Sequence, residues 1–274
     1  MLARLFVVIL AGGLMLSPSQ AQAQKIVAHR GASYDAPENT LAAYRLAWEQ
    51  NADGIEGDFY LTKDQQIVCI HDAKTKRTSG QELVVVESTL EELRRLDVGK
   101  WKHEKFQGEK IPTFAEVLSV VPENKQVYIE IKCGPEIVPA LATALKQSSL
   151  RTEQTIVISF NDQVIAATRE LIPEIKAYWL VGFRQNRETN TLEPTIDTII
   201  EKAKKIRTQG IDVQAHREVV NQAFVQRLRD ERLEFHVWTI NDANTARHFQ
   251  ELGVDSITTD RPEFLRTALS QPAK

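Results

Sequence analysis

The sequence predicts an α/β fold: a (β/α)8 TIM barrel with an inserted segment after the second strand. Three observations predict it. Eight short β-branched apolar runs recur along the chain, amphipathic stretches follow most of them, and no Pro/Gly linker or charge block divides the 274 residues. A hydrophobic fraction of 42% is enough for one large core. A doubly wound open sheet is the alternative arrangement of the same units.

Residues 1–23 read as a signal peptide and stand outside the fold, leaving 24–274 as one domain. They carry a single charge at Arg4, an apolar run from Leu5 to Leu16 and a small-x-small site at Ala21-Gln22-Ala23. The apolar run falls short of the ~20 residues that span a bilayer. An exported protein, periplasmic or secreted, is expected. The apolar runs then follow at 26–29, 54–59, 127–132, 155–159, 176–180, 211–214, 234–239 and 255–258. Helix-like stretches occupy 40–50, 136–148, 161–171, 194–207, 218–230 and 242–251, with Asn161-Asp162 and Asn241-Asp242 as N-cap candidates.

One further run, 66–71, breaks the alternation. Folded back on 56–62 as a hairpin closing on Asp64-Gln65, it pairs Lys63 with Gln66 and hence Asp58 with His71. Residues 72–112 form the longest departure from a simple barrel unit. They are expected to cover or flank the active face and to contribute to substrate choice. Cys69 and Cys133 read as two unpaired buried thiols rather than a disulfide, because alternation turns Cys133 away from Glu130 and Lys132.

The chemistry-bearing residues cluster at the ends of these runs. Glu56 and Asp58 lie two apart on one strand, so both carboxylates face one side, and Glu130 sits inside an otherwise apolar strand. Three inward acids without cysteine suit a hard cation, Ca²⁺ or Mg²⁺, completed by water and substrate oxygens. Salt bridges to Lys132 or Arg30 are the structural alternative for any one acid. His29 and His71 each end a run. Phosphodiester cleavage needs one group to take a proton from the nucleophile and another to give one to the leaving alkoxide, and histidine does both near neutral pH. Arg30 and Lys132 suit the phosphate charge. Glu38 is a candidate for orienting Arg30 or a histidine, against a plain helix-capping role, and Trp238 for substrate contact, against a place in the core.

These parts resemble the glycerophosphodiester phosphodiesterase family, of the phospholipase-C-like phosphodiesterase superfamily. The matching residues are His29-Arg30-Gly31-Ala32, Ala36-Pro37-Glu38-Asn39-Thr40, Glu56-x-Asp58, His71-Asp72, Glu130-x-Lys132, Trp238-Thr239-Ile240-Asn241 and Thr259-Asp260-Arg261-Pro262. The resemblance implies that barrel fold and metal-dependent hydrolysis of glycerophosphodiesters to sn-glycerol 3-phosphate and an alcohol. His29 and His71 would be the acid/base pair, Glu56, Asp58 and Glu130 the metal ligands, and Arg30 and Lys132 phosphate contacts. Two departures stand out: Tyr34-Asp35 replace a small turn, and Gly57 replaces a bulkier apolar residue. Both bear on substrate fit rather than on chemistry.

Without Arg4 the formal charge of −3 becomes −4. A mildly acidic chain with no basic run argues against a nucleic-acid partner, and no protein partner is expected. Residues 98–110 mix Trp101 and Phe106 with Lys100, Lys102, Lys105 and Lys110, a pattern open to weak membrane contact. The competing readings are therefore a phospholipase acting on lyso- or intact phospholipids, and a non-catalytic phosphate-ester binding protein.

Overall fold

The computed structural model describes residues 24–271, so the leader assigned to residues 1–23 lies outside the described residues. In chain order the strands are β1 (Lys25–Ala28), β2 (Gly54–Leu61), β3 (Ile67–Cys69), β4 (Gln126–Ile131), β5 (Thr155–Ser159), β6 (Lys176–Val181), β7 (Arg184–Gln185), β8 (Leu192–Glu193), β9 (Gly210–Gln214), β10 (Glu234–Trp238) and β11 (Ser256–Thr259). Eight of them, β1, β2, β4, β5, β6, β9, β10 and β11, pair in parallel in that order. The ring closes where β1 pairs with both β11 and β2. Closure separates this barrel from the doubly wound alternative.

The helices are α1 (Leu41–Glu49), α2 (Lys76–Ser79), α3 (Leu90–Arg94), α4 (Phe114–Ser119), α5 (Val138–Gln147), α6 (Asp162–Leu171), α7 (Ile196–Ile206), α8 (Gln222–Asp230), α9 (Ala243–Glu251) and α10 (Pro262–Ser270). Thr40, Asn161, Thr195, Asn221 and Asp242 each accept a backbone N–H at a helix start. These caps sharpen the expected boundaries. Thr40, not Glu38 or Asn39, opens the first helix. Helix α10 and the β7–β8 hairpin have no counterpart among the expected elements; Pro262 at the first turn of α10 fixes its start.

The apolar residues sort into layers. Val27, Tyr128, Ile156, Ile158, Tyr178 and Leu180 fill the barrel interior. The opposite faces of the strands pack outward under the helices, as with Ile55, Ile129 and Val157 against Tyr44, Leu141 and Val164. The segment 72–112 has a small core of its own, with Val85, Leu93, Leu96, Val98 and Ile111 closing over Tyr60, Val68 and Ile70. Lys102 Nζ donates to the carbonyl of Ser33 at 2.8 Å, tying this segment to the loop after β1. No helix among the described residues is long and apolar enough to cross a membrane.

The hairpin exists, but its register is one residue from the expected one. Phe59 pairs with Cys69, Tyr60 with Val68 and Leu61 with Ile67, so Asp58 stands opposite Ile70. The cause is the turn, which closes over three residues, Lys63-Asp64-Gln65, with Gln65 at φ 60°. The Thr62 hydroxyl holds it, donating to Asp64 and accepting from the Gln66 N–H. His71 lies beyond the end of β3 and reaches the site because the chain has left the ladder there. Cys69 faces outward instead, against Tyr44 Oη at 3.0 Å. Both thiols are free, Cys69 buried and Cys133 only partly so.

Candidate active site

At the end of β1 the backbone turns sharply, with Arg30 at φ 56° and Gly31 at φ 81°. A side chain at Gly31 would meet Ala43 of α1 at 2.6 Å, so only glycine lets the turn seat against that helix. The turn aims the Arg30 N–H at Glu56 Oε2, 2.9 Å away. Asn39, also left-handed at φ 57°, donates to Asp58 Oδ2 at 2.8 Å and accepts the Asp58 N–H and the Tyr44 hydroxyl. The loop after β1 thus grips the two acids of β2.

Glu56, Asp58 and Glu130 each present an oxygen within 4.8 Å of the others, all three buried. Their counter-charges are close by. Lys132 Nζ lies 2.7 Å from Glu130 Oε1 and 3.3 Å from Asp58 Oδ1. Arg30 Nε lies 3.3 Å from Asp58 Oδ2 but is not aligned for a hydrogen bond. Burial and then the Asp58 charge push Glu56 well above the usual carboxylate range and Glu130 above it as well. Burial acts the same way on Asp58, yet Lys132, Arg30, His71 and the Asn39 amide hold it below its ordinary value. Glu56 Oε1 is buried with no hydrogen-bond partner. That orphan oxygen, beside two more carboxylates in an all-oxygen set, fits a hard divalent cation.

Both histidines are anchored through Nδ1, His29 to Asp260 Oδ1 and His71 to Asp72 Oδ1, each at 2.7 Å. Hydrogen bonding to a carboxylate there places the proton on Nδ1 and leaves Nε2 for the cavity. Burial, only partly offset by Asp58, lowers the His71 pKa. Asp260 is itself fixed by Asn241 at 2.6 Å and Ser33 at 2.9 Å. Against the effect of its burial, the bonds from His29, Asn241 and Ser33 bring it down to about 2.

Asp72 and Asp260 stand in the matched motifs, but the sequence reading gave neither a role. Arg77, missed entirely, spans Asp72 and both oxygens of Glu38. Glu38 stands behind Arg30, donor of a 3.1 Å hydrogen bond to it, and is absent from the cavity wall. Glu38 thus meets the cavity only through Arg30, not by facing it.

His29, Arg30, Glu56, His71, Glu130 and Lys132 line one side of a cavity of about 250 Å³. The far wall is Ile158, Phe160, Leu180, Asp212, Trp238, Thr239 and Thr258. Trp238 is therefore at the cavity, its ring edge-on to Phe160 at 5.4 Å between centroids. No residue of 72–112 is among those lining the cavity, and the inserted segment meets the site through Asp72 and Arg77.

Residues 29–264 match the model of the glycerophosphoryl diester phosphodiesterase family. The chain is 34% identical over 245 residues to a glycerophosphodiester phosphodiesterase of Caldanaerobacter subterraneus, covering 88% of this chain and 95% of that one. It superposes on an Oleispira antarctica phosphodiesterase, solved with the product sn-glycerol-3-phosphate, at a TM-score of 0.79 and 27% identity, over 91% and 98% of the two chains. A glycerophosphodiester phosphodiesterase of Agrobacterium tumefaciens gives 0.73 and 27%, over 89% and 99%. The chain belongs to the glycerophosphoryl diester phosphodiesterase family and is a phosphodiesterase.

Proposed function

We propose that this member of the family hydrolyses glycerophosphodiesters to sn-glycerol 3-phosphate and an alcohol, using one divalent cation and a His29/His71 acid–base pair. One observation carries the reading. Three buried carboxylates lie within ligand distance of one another, and two of them, Glu56 and Glu130, line one cavity with two imidazoles, each fixed from behind by an aspartate.

Glu56, Asp58 and Glu130 would hold Ca²⁺ or Mg²⁺, which supplies charge neutralisation at the phosphoryl oxygens. Arg30 and Lys132, at the rim of the acids, bind the remaining phosphate charge and orient the diester. One imidazole Nε2 takes the proton of the attacking oxygen while the other delivers one to the departing alkoxide. Asp260 and Asp72 keep each ring in the tautomer that presents Nε2 and stabilise the imidazolium as it forms. The apolar side chains of the far wall, Ile158, Phe160, Leu180 and Trp238, displace water from around the bound ester. We also read residues 1–23 as an export signal; N-terminal sequencing of the mature protein tests this, and an intact Met1 would refute it.

The test of function is release of glycerol 3-phosphate from glycerophosphocholine by the mature chain, after EDTA and after restoring Ca²⁺ or Mg²⁺. Activity should vanish with chelation and return with metal. Activity indifferent to EDTA would discard the cation, and inactivity under every metal in a folded protein would discard the substrate class.

A further inference from the structure

Two carboxyl oxygens lining the catalytic cavity are buried with no hydrogen-bond partner: Glu56 Oε1 and Asp212 Oδ1. The cation accounts for the first. Nothing in the chemistry so far uses the second. Asp212 sits at the middle of β9, the fourth strand from β2 in either direction around the ring, so it faces the acids of β2 across the barrel. It is 1% exposed, and β6 and β10 pair with it on both sides, so the cavity is the only open space its carboxyl faces. A buried polar atom left without a partner costs roughly 1–3 kcal/mol. Such an atom in a native fold calls for a reason.

Its surroundings supply one. Phosphate held by Arg30 and Lys132 leaves the organic arm of the diester to lie against the far wall. That wall is apolar at Ile158, Phe160, Leu180 and Trp238, and Trp238 Nε1 donates to the backbone carbonyl of Asp212 at 3.1 Å, fixing the indole against β9. A glycerol arm has a carbon chain for the apolar side chains and hydroxyls that need polar partners. Asp212 is the one ionisable side chain of this wall, and in either protonation state it keeps an acceptor oxygen for a hydroxyl.

Resting on the glycerophosphodiester reading, we infer that Asp212 hydrogen-bonds a glycerol hydroxyl of the bound diester and so selects a hydroxylated ester arm over an alkyl one. A pocket built to pair a substrate hydroxyl discriminates against its absence because its own buried group is then stranded.

The test is kcat/KM on glycerophosphocholine and on its two analogues lacking either glycerol hydroxyl, for wild type, Asp212→Leu and Asp212→Asn. Asp212→Leu should lose about 10–100-fold on glycerophosphocholine and change little on one of the deoxy analogues, with Asp212→Asn losing less. Its Tm should equal or exceed that of wild type, because an unpartnered buried oxygen has been removed. An equal fall on all three substrates, or no fall on any, overturns the assignment. A wild type inactive on all three overturns the glycerophosphodiester reading instead.

Discussion

The Asp260–His29 pair gives the sharpest test of the acid–base assignment, because two substitutions at one position should differ in a direction the geometry dictates. Asp260 Oδ1 meets His29 Nδ1 at 2.7 Å and also accepts from Ser33, while Oδ2 accepts from the Asn241 amide. Asp260→Ala removes the support and lets water replace it. A charge-assisted hydrogen bond contributes roughly 1.5–3 kcal/mol, and partial exposure of this pair favours the lower half, so about a 10–30-fold loss is expected.

Asp260→Asn keeps the shape but not the chemistry. Asn241 donates to position 260, so the new amide should turn its oxygen to Asn241 and its NH₂ to His29 Nδ1. That donor forces the imidazole proton onto Nε2, the atom that faces the cavity, and about a further tenfold loss is expected. The assay is steady-state hydrolysis of glycerophosphocholine, with the loss in kcat and KM little changed, since Asp260 is not in the cavity wall. An Asp260→Asn enzyme as active as wild type, or more active than Asp260→Ala at equal Tm, would refute the reasoning.

Further outcomes are expected. Saturating Ca²⁺ or Mg²⁺ at about 100-fold its Kd should add about 2.7 kcal/mol to stability, roughly 5–10 °C in Tm for a domain of this size, and Glu130→Gln should abolish the shift. Calorimetry in buffers of different ionisation enthalpy should show protons released on metal binding. Glu56 and Glu130 have raised values in the metal-free fold and bind metal only when ionised, so affinity should fall as pH is lowered; pH-independent affinity would contradict it. In the metal-free protein the sign is opposite: the stability these two acids contribute is lost as pH rises through and above the ordinary carboxylate range, while acids held low by folding, such as Asp58 and Asp260, act the other way. Finally, Gly57→Ala should destabilise the fold by about 1–3 kcal/mol and Tyr44→Phe in the same chain should recover most of it, as thermal melts would show; additive losses would contradict it.

The barrel was legible because its signals are local. Apolar runs of four to six residues, helical stretches between them and side-chain caps at Asn161 and Asp242 each act within a few positions. The candidate acids and histidines were legible for the same reason, since a polar group at the end of an apolar strand declares itself. What was not legible depends on distance or on an unmarked backbone. Gln65 takes a left-handed conformation without the Gly or Asn that would announce it, and one residue of slip in the hairpin follows. Asp260 is 231 positions from His29 and Arg77 is 39 from Glu38, so the pairs that set the roles of Asp260 and Glu38 exist only once the ring has closed.

Gly57 shows how far such a distant pairing reaches. Next to the metal acids it stands as a departure, and the sequence alone suggests a consequence for substrate fit. The structure points it away from the cavity, toward α1, where an added Cβ would lie 2.3 Å from Tyr44 Oη and 3.2 Å from Cys69 Sγ. The space is taken by the tyrosine hydroxyl, which donates to Asn39 Oδ1 at 3.0 Å, the same oxygen that accepts the Asp58 N–H. Asn39 in turn donates its amide to the Asp58 carboxylate at 2.8 Å. A missing side chain on β2 therefore admits a hydroxyl from α1, and that hydroxyl fixes the loop residue that orients a candidate metal ligand. The departure is a packing exchange behind the site, and it couples the stability of α1 to the geometry of Asp58.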